Sequence, residues 1–158
     1  MNAYPIEHGF SSLTAAVARE FLTGLFVETG ANIGAGIAAA LEAGFPRVVS
    51  CDEEARFVAH CWRRLADDAR VDVRLGDSPS FLARVLGDRT TPATIYLDAH
   101  SAARNPLLAE LAALATLPCR DHLILIDDAR MFGTPDWHGL TLAEATAALR
   151  AINPEAGF

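Results

Sequence analysis

The sequence predicts a doubly wound α/β fold, a mostly parallel sheet with helices on both faces. Three observations carry this. Short apolar runs alternate with amphipathic or alanine-rich segments along the whole chain, the rhythm of βαβ units. The run over 25–28 leads at once into a glycine turn, Thr29-Gly30-Ala31-Asn32-Ile33-Gly34. Acidic residues also recur at or just past the ends of the apolar runs, at Glu28, Asp52, Asp77, Asp98 and the pair Asp127-Asp128.

The elements follow in order. Apolar residues at helical spacing predict a first helix over 12–22, capped by Ser11 or Ser12. Residues 25–28 form the first strand. The alanine-rich stretch 33–43 is a helix closed by Gly44, because a glycine accepts the left-handed turn that ends helices. Residues 47–51 give the second strand, and 53–66 a helix with charged residues along one face. The alternation over 71–75 is a third strand. Ser78-Pro79 then caps and opens a helix to about residue 86. A fourth strand ends in a carboxylate at Asp98, and a leucine-rich helix spans 106–117. Residues 122–127 are the most continuous apolar run, which predicts a central strand covered on both faces. No helix is evident directly after Asp127-Asp128. Thr141-Leu-Ala-Glu144 reads as a capping box for a last helix to about residue 152.

Composition narrows the function classes. The 158 residues suit one domain over 1–158. No apolar run reaches the roughly 18–20 residues of a membrane span, and the N-terminus lacks the pattern of a signal peptide. A net charge of −7 argues against nucleic acid as a partner. All 13 basic residues are arginine, so lysine chemistry is absent, whether as base, Schiff base or phosphate clamp. Cys51, Cys61 and Cys119 are odd in number and widely spaced. They read as buried small hydrophobes in a reducing, cytoplasmic setting, without a disulfide or zinc framework.

In doubly wound sheets ligands bind outside the carboxyl ends of the strands. A lone carboxylate there is ordinarily a cap or a solvated side chain. Crowded carboxylates raise one another's pKa unless a cation or hydrogen-bond donors offset them. The acidic rim therefore points to a cationic or polyhydroxyl ligand, with or without a metal. Helix capping alone would account for Asp52 and Asp77 but leaves Asp127-Asp128 unexplained.

These residues resemble a family. Glu28-Thr29-Gly30-Ala31-Asn32-Ile33-Gly34 is similar to the first motif of class I S-adenosylmethionine-dependent methyltransferases, Asp52 to their ribose-binding acid, and Gly76-Asp77-Ser78 to their adenine-side motif. The resemblance covers roughly residues 20–130. It implies a Rossmann-like sheet that holds S-adenosylmethionine through Glu28, Thr29, Gly30, Asn32, Gly34, Asp52, Asp77 and Ser78. Tyr96-Leu-Asp98-Ala-His100 and Leu125-Ile-Asp127-Asp128 further resemble the cation-dependent, catechol-type O-methyltransferases. That likeness implies a magnesium ion on Asp98, Asp127 and Asp128, whose oxygen donors suit Mg²⁺, and O-methylation of a small-molecule acceptor.

The chain departs from that pattern in three places. Asp128 stands where the family has Asn. Ser101 stands at the place of the family's catalytic lysine. His100, beside Asp98, is then the nearest general base, while a ligand role or a plain hydrogen-bonding role stays open for it. The sequence also stops at residue 158, where the family's C-terminal hairpin of two strands would begin. The sheet is trimmed, or the chain is part of a longer one, or a partner covers the open edge, for which a homodimer is one form. The loop over 131–139 is either a lid over the acceptor or a surface loop with Trp137 packed beneath it.

Two rival readings stand beside the methyltransferase. Gly34-Ala-Gly36-Ile-Ala-Ala39 matches the dinucleotide fingerprint of NAD(P)-dependent oxidoreductases, yet those glycines fall inside the helix start instead of in the first turn. A non-catalytic binding or assembly module on the same scaffold is favoured by the missing lysine and opposed by the acidic rim.

Overall fold

The computed structural model describes residues 13–101 and 103–157. In chain order these form α1 (Ala15–Glu20), β1 (Phe26–Thr29), α2 (Ala35–Ala43), β2 (Val48–Asp52), α3 (Ala55–Leu65), β3 (Val71–Leu75), α4 (Ser78–Leu86), β4 (Thr94–Leu97), α5 (Leu107–Leu114), β5 (Leu123–Ile126) and α6 (Leu142–Ile152). Single 3-10 turns at Ala129–Met131 and Pro135–Trp137 lie between β5 and α6. The five strands are all parallel, in the order β3-β2-β1-β4-β5. The order reverses at β1, between β2 and β4, which is where a crevice opens in such sheets.

Strand alternation builds two cores. Val27, Val49, Cys51, Ile95 and Leu97 pack with α4, α5 and α6 on one face. Phe26, Val48, Val73 and Tyr96 pack with α1, α2 and α3 on the other. The cysteines Cys51, Cys61 and Cys119 are free and buried, in line with their reading as small hydrophobes. No described helix is long and apolar enough to cross a membrane.

The expected order of strands needs one correction. β5 is at the sheet edge and β1 is central. All four β1 residues are buried, whereas Leu123 is 39% exposed. The apolar run of β5 reflects packing on both faces, Ile124 and Ile126 on one and Leu125 on the other. It does not reflect hydrogen bonding on both sides, because coverage of the faces and position in the sheet are separate properties.

Some boundaries also move. α1 is capped by Thr14, whose side chain accepts from the Val17 amide. The expected caps Ser11 and Ser12 lie outside the described residues. α2 begins at Ala35, since Gly34 is its left-handed N-cap (φ 86°). α5 is shorter than the leucine pattern implied, running only over Leu107–Leu114. Asp127-Asp128 is followed by a 3-10 turn, with Asp128 itself left-handed (φ 48°). The capping box of α6 forms as read, between Thr141 and Glu144.

Gly30 is the tightest point of the fold. Its φ is 83°, and a Cβ there would overlap the Asp98 carbonyl at the end of β4. Gly44 has an equally left-handed backbone (φ 105°) with open space around it. Gly44→Ala is expected to cost about 1–2 kcal/mol, the strain of a left-handed L-residue. Gly30→Ala adds a backbone clash and is expected to cost about 3 kcal/mol or more. Urea denaturation of the two variants measures the difference.

Candidate functional site

A cavity of about 300 Å³ opens at the carboxyl ends of the strands. Every strand contributes to its wall, directly or through the loop that follows. Gly30 and Asn32 come from the turn after β1, and Asp52 from the end of β2. Gly76 and Ser78 follow β3. Asp98 and His100 follow β4, and Asp127 and Asp128 follow β5. Eight of the twelve predicted positions are thus wall residues: Gly30, Asn32, Asp52, Ser78, Asp98, His100, Asp127 and Asp128.

The β1 turn is held from β2. The amides of Gly30 and Ala31 both donate to the Cys51 carbonyl, at 2.9 and 2.8 Å. Asp52 then accepts from the Asn32 amide through Oδ2 and from the Glu54 amide through Oδ1, each at 2.8 Å. One carboxylate, 8% exposed, thus ties the glycine turn to the start of α3. Charge-assisted bonds of this kind are about twice as strong as neutral ones.

The other four predicted positions lie off the wall. Glu28 is fully buried on the α2 side, where Ser50 Oγ donates to it. A Cβ on Gly36 would overlap its carboxyl, so the Gly36 of the dinucleotide pattern is required by Glu28. Burial pushes the Glu28 carboxyl up to about 8, aided by Asp52 and opposed by the Ser50 hydrogen bond. Thr29 is buried and fastens β4, accepting from the Asp98 amide through its carbonyl at 3.1 Å. Gly34 caps α2. Asp77 caps α4, taking the Ser80 amide at 3.0 Å, and that amide holds its pKa below the usual carboxylate range.

The acids of β4 and β5 do meet. Burial, followed by repulsion from Asp127 and Glu28, holds the Asp98 carboxyl far above the usual carboxylate range, and it shares a hydrogen bond with Asp127. The His100 ring lies between Asp98 and Asp128, with Nδ1 3.6 Å from Asp98 Oδ1 and Nε2 3.5 Å from Asp128 Oδ2. Trp137 braces that ring at 5.1 Å and is itself buried, edge-on to Phe132. The loop carrying Trp137 is therefore packed down on the core. The carboxylates are of the kind Mg²⁺ prefers. Among the described residues no three His, Cys, Asp or Glu side chains converge on a point an ion could take.

Sequence reasoning missed several wall residues. Phe57 of α3 lies on the wall near Asp52. Arg104 pairs with Glu53 at 3.0 Å, linking the loops that follow β4 and β2. Loop residues of this kind carry no periodic signal. Glu110 is 1% exposed on α5, and it was legible in principle. Leu107, Glu110, Leu111 and Leu114 share one helical stripe, which marks a carboxyl on a buried face.

Glu28 and Asp98 ionise more readily in the unfolded chain than in the folded one. Stability from this source is full below the unfolded pKa near 4 and is lost as pH rises toward the folded value, about 8 for Glu28. Thermal melts are expected to fall from pH 5 to pH 9, and Glu28→Gln to flatten that fall while leaving the value at pH 5 nearly unchanged. No known family model matches this chain, and no curated protein matches it.

Proposed function

We propose that the chain is an S-adenosylmethionine-dependent methyltransferase that acts on a hydroxyl of a small molecule. The observation that carries this is the shared cavity. The Gly30 turn, Asp52, Ser78 and the Asp98–His100 pair line one space at the point where the strand order reverses, and nucleotide-type ligands favour that place. Its volume of about 300 Å³ is at the lower end of ligand pockets. The acidic wall suits a ligand with a positive sulfonium and a ribose diol. Gly34 and Gly36 speak against the dinucleotide reading, since they cap and enter α2 instead of forming the turn.

When bound, S-adenosylmethionine supplies an electrophilic methyl group. The chain's part is to hold and orient it. Gly30 keeps the turn free of a side chain, so backbone faces the cavity. Asp52 spends one lone pair of each oxygen on an amide and offers the others to ribose hydroxyls. Phe57 offers an apolar face on the same wall. His100 takes the proton of the acceptor hydroxyl as its oxygen attacks. Asp128, 3.5 Å from Nε2, orients the imidazole and stabilises its cation, while Asp98, held protonated, lies 3.6 Å from Nδ1. Transfer requires the acceptor oxygen about 3 Å from the methyl carbon, and Trp137 restrains the ring that must reach it.

Calorimetry with S-adenosylhomocysteine, with and without Mg²⁺, tests the reading. The wild type is expected to bind, and Asp52→Ala to weaken binding about tenfold or more. His100→Gln is expected to leave binding intact and lower methyl transfer to catechol, as probe acceptor, about 10²–10⁴-fold. Absence of binding removes the proposal. Binding without transfer to any small hydroxyl compound favours the non-catalytic module. Tighter binding in Mg²⁺ would return a cation to the site.

A further inference from the structure

One ion pair on the cavity rim has no part in the chemistry above. Arg104 Nη2 lies 3.0 Å from Glu53 Oε2, and both residues line the cavity. Their places in the sheet give the pair its meaning. Glu53 follows β2, Arg104 belongs to the loop after β4, and β1 runs between those two strands. The pair therefore spans the crevice from one side of the Gly30 turn to the other. Both ends are anchored through the backbone. Glu53 stands between Asp52 and Glu54, whose amide Asp52 holds at 2.8 Å. The Arg104 amide donates to Ser101, at 3.3 Å to its carbonyl and to its Oγ, and the Ser101 amide donates back to the Arg104 carbonyl at 2.8 Å. The two side chains are what is left to swing. The space of about 300 Å³ exists with the pair formed, so the pair borders the cavity and does not fill it.

We propose that Arg104 and Glu53 form a strap across the cavity mouth, which parts to admit a ligand and closes again over the bound one. This rests on the nucleoside-type cofactor proposed above. The two side chains are 47% and 48% exposed. An ion pair in that setting adds little stability, because water competes for both charges. Exposed side chains also change rotamer within nanoseconds. The strap is therefore closed more often than open, yet opens frequently. A gate that flickers faster than ligand arrives slows entry in proportion to the time it is shut. Once the pair re-forms above the ligand, departure is slowed by the same proportion. The two rates move together, and the affinity, which is their ratio, stays nearly fixed. Among the described wall residues Arg104 is the only Lys or Arg, so its loss leaves no substitute for the strap.

Stopped-flow kinetics with S-adenosylhomocysteine as the probe test the strap. The probe carries no net charge at neutral pH, so long-range steering contributes little. Glu53→Gln and Arg104→Gln are each expected to raise the association and dissociation rates together, about two- to fivefold, the closed-to-open ratio of an exposed pair. Kd is expected to stay within about twofold of the wild type. Salt screens exposed charges, so raising it is expected to speed both rates in the wild type and neither in the variants. Faster dissociation alone would mark a direct contact with the ligand, and faster association alone a pair that forms only in the empty site. Either result overturns the inference, as does a wild type whose rates ignore salt. Melting curves check folding, and because the variants break the pair from opposite ends, either one carries the comparison if the other does not fold. A wild type that binds no S-adenosylhomocysteine overturns the cofactor reading and the strap together. Binding with rates unaltered in both variants overturns the strap alone.

Discussion

The site depends on one carboxylate. Asp52 takes two backbone amides, one from the turn after β1 and one from the approach to α3. Backbone donors at such turns must find partners or water. By supplying both, Asp52 fixes the spacing of these two loops just beyond the point where Cys51 takes the Gly30 and Ala31 amides. The turn is pressed from the opposite side by β4, whose end leaves no room for a Cβ at Gly30. The cavity is thus framed by a carboxylate that pulls and a strand that limits. Ser78, Asp98 and Asp128 take their places around that frame.

Beneath the frame the chain buries two further carboxyls, one on each face of the sheet. Glu28 faces α2 and Glu110 lies on the α5 side. A buried acid is destabilising unless it stays neutral or finds donors. Glu28 does both, through Ser50 and a raised pKa. Gly36 accommodates it, because a Cβ at that position of α2 would collide with the carboxyl. Glu110 stays mostly neutral through burial, against the pull of the Ser78 and Thr29 hydroxyls.

The acidic rim divides by what each carboxylate does. Asp77 holds a helix, Asp52 holds loops, and Glu28 is buried below. Only Asp98, Asp127 and Asp128 crowd together, with the imidazole of His100 between two of them. Identical chemistry at equivalent strand ends thus serves capping, tethering and a charged cluster. The difference arises from what each neighbouring loop places opposite the carboxylate.

Much was legible in the residues themselves. Alternating apolar runs set the parallel α/β class, the Gly30 turn and the α6 capping box, because these depend on local backbone chemistry and on period, whereas the α4 cap read at Ser78 is Asp77, one residue earlier, with Ser78 the first residue of the helix. The sequence by itself also determined that lysine chemistry is absent and that acids end the strands. Tertiary structure alone decided that β1 and not β5 is central, since an apolar run records coverage of its faces and not its neighbours in the sheet. It alone turned Glu28 inward and Asp77 outward, set Trp137 against His100 and brought Ser78 to Glu110 across 32 positions. These are contacts between distant segments, and their geometry depends on how whole helices pack, which no local pattern of residues encodes.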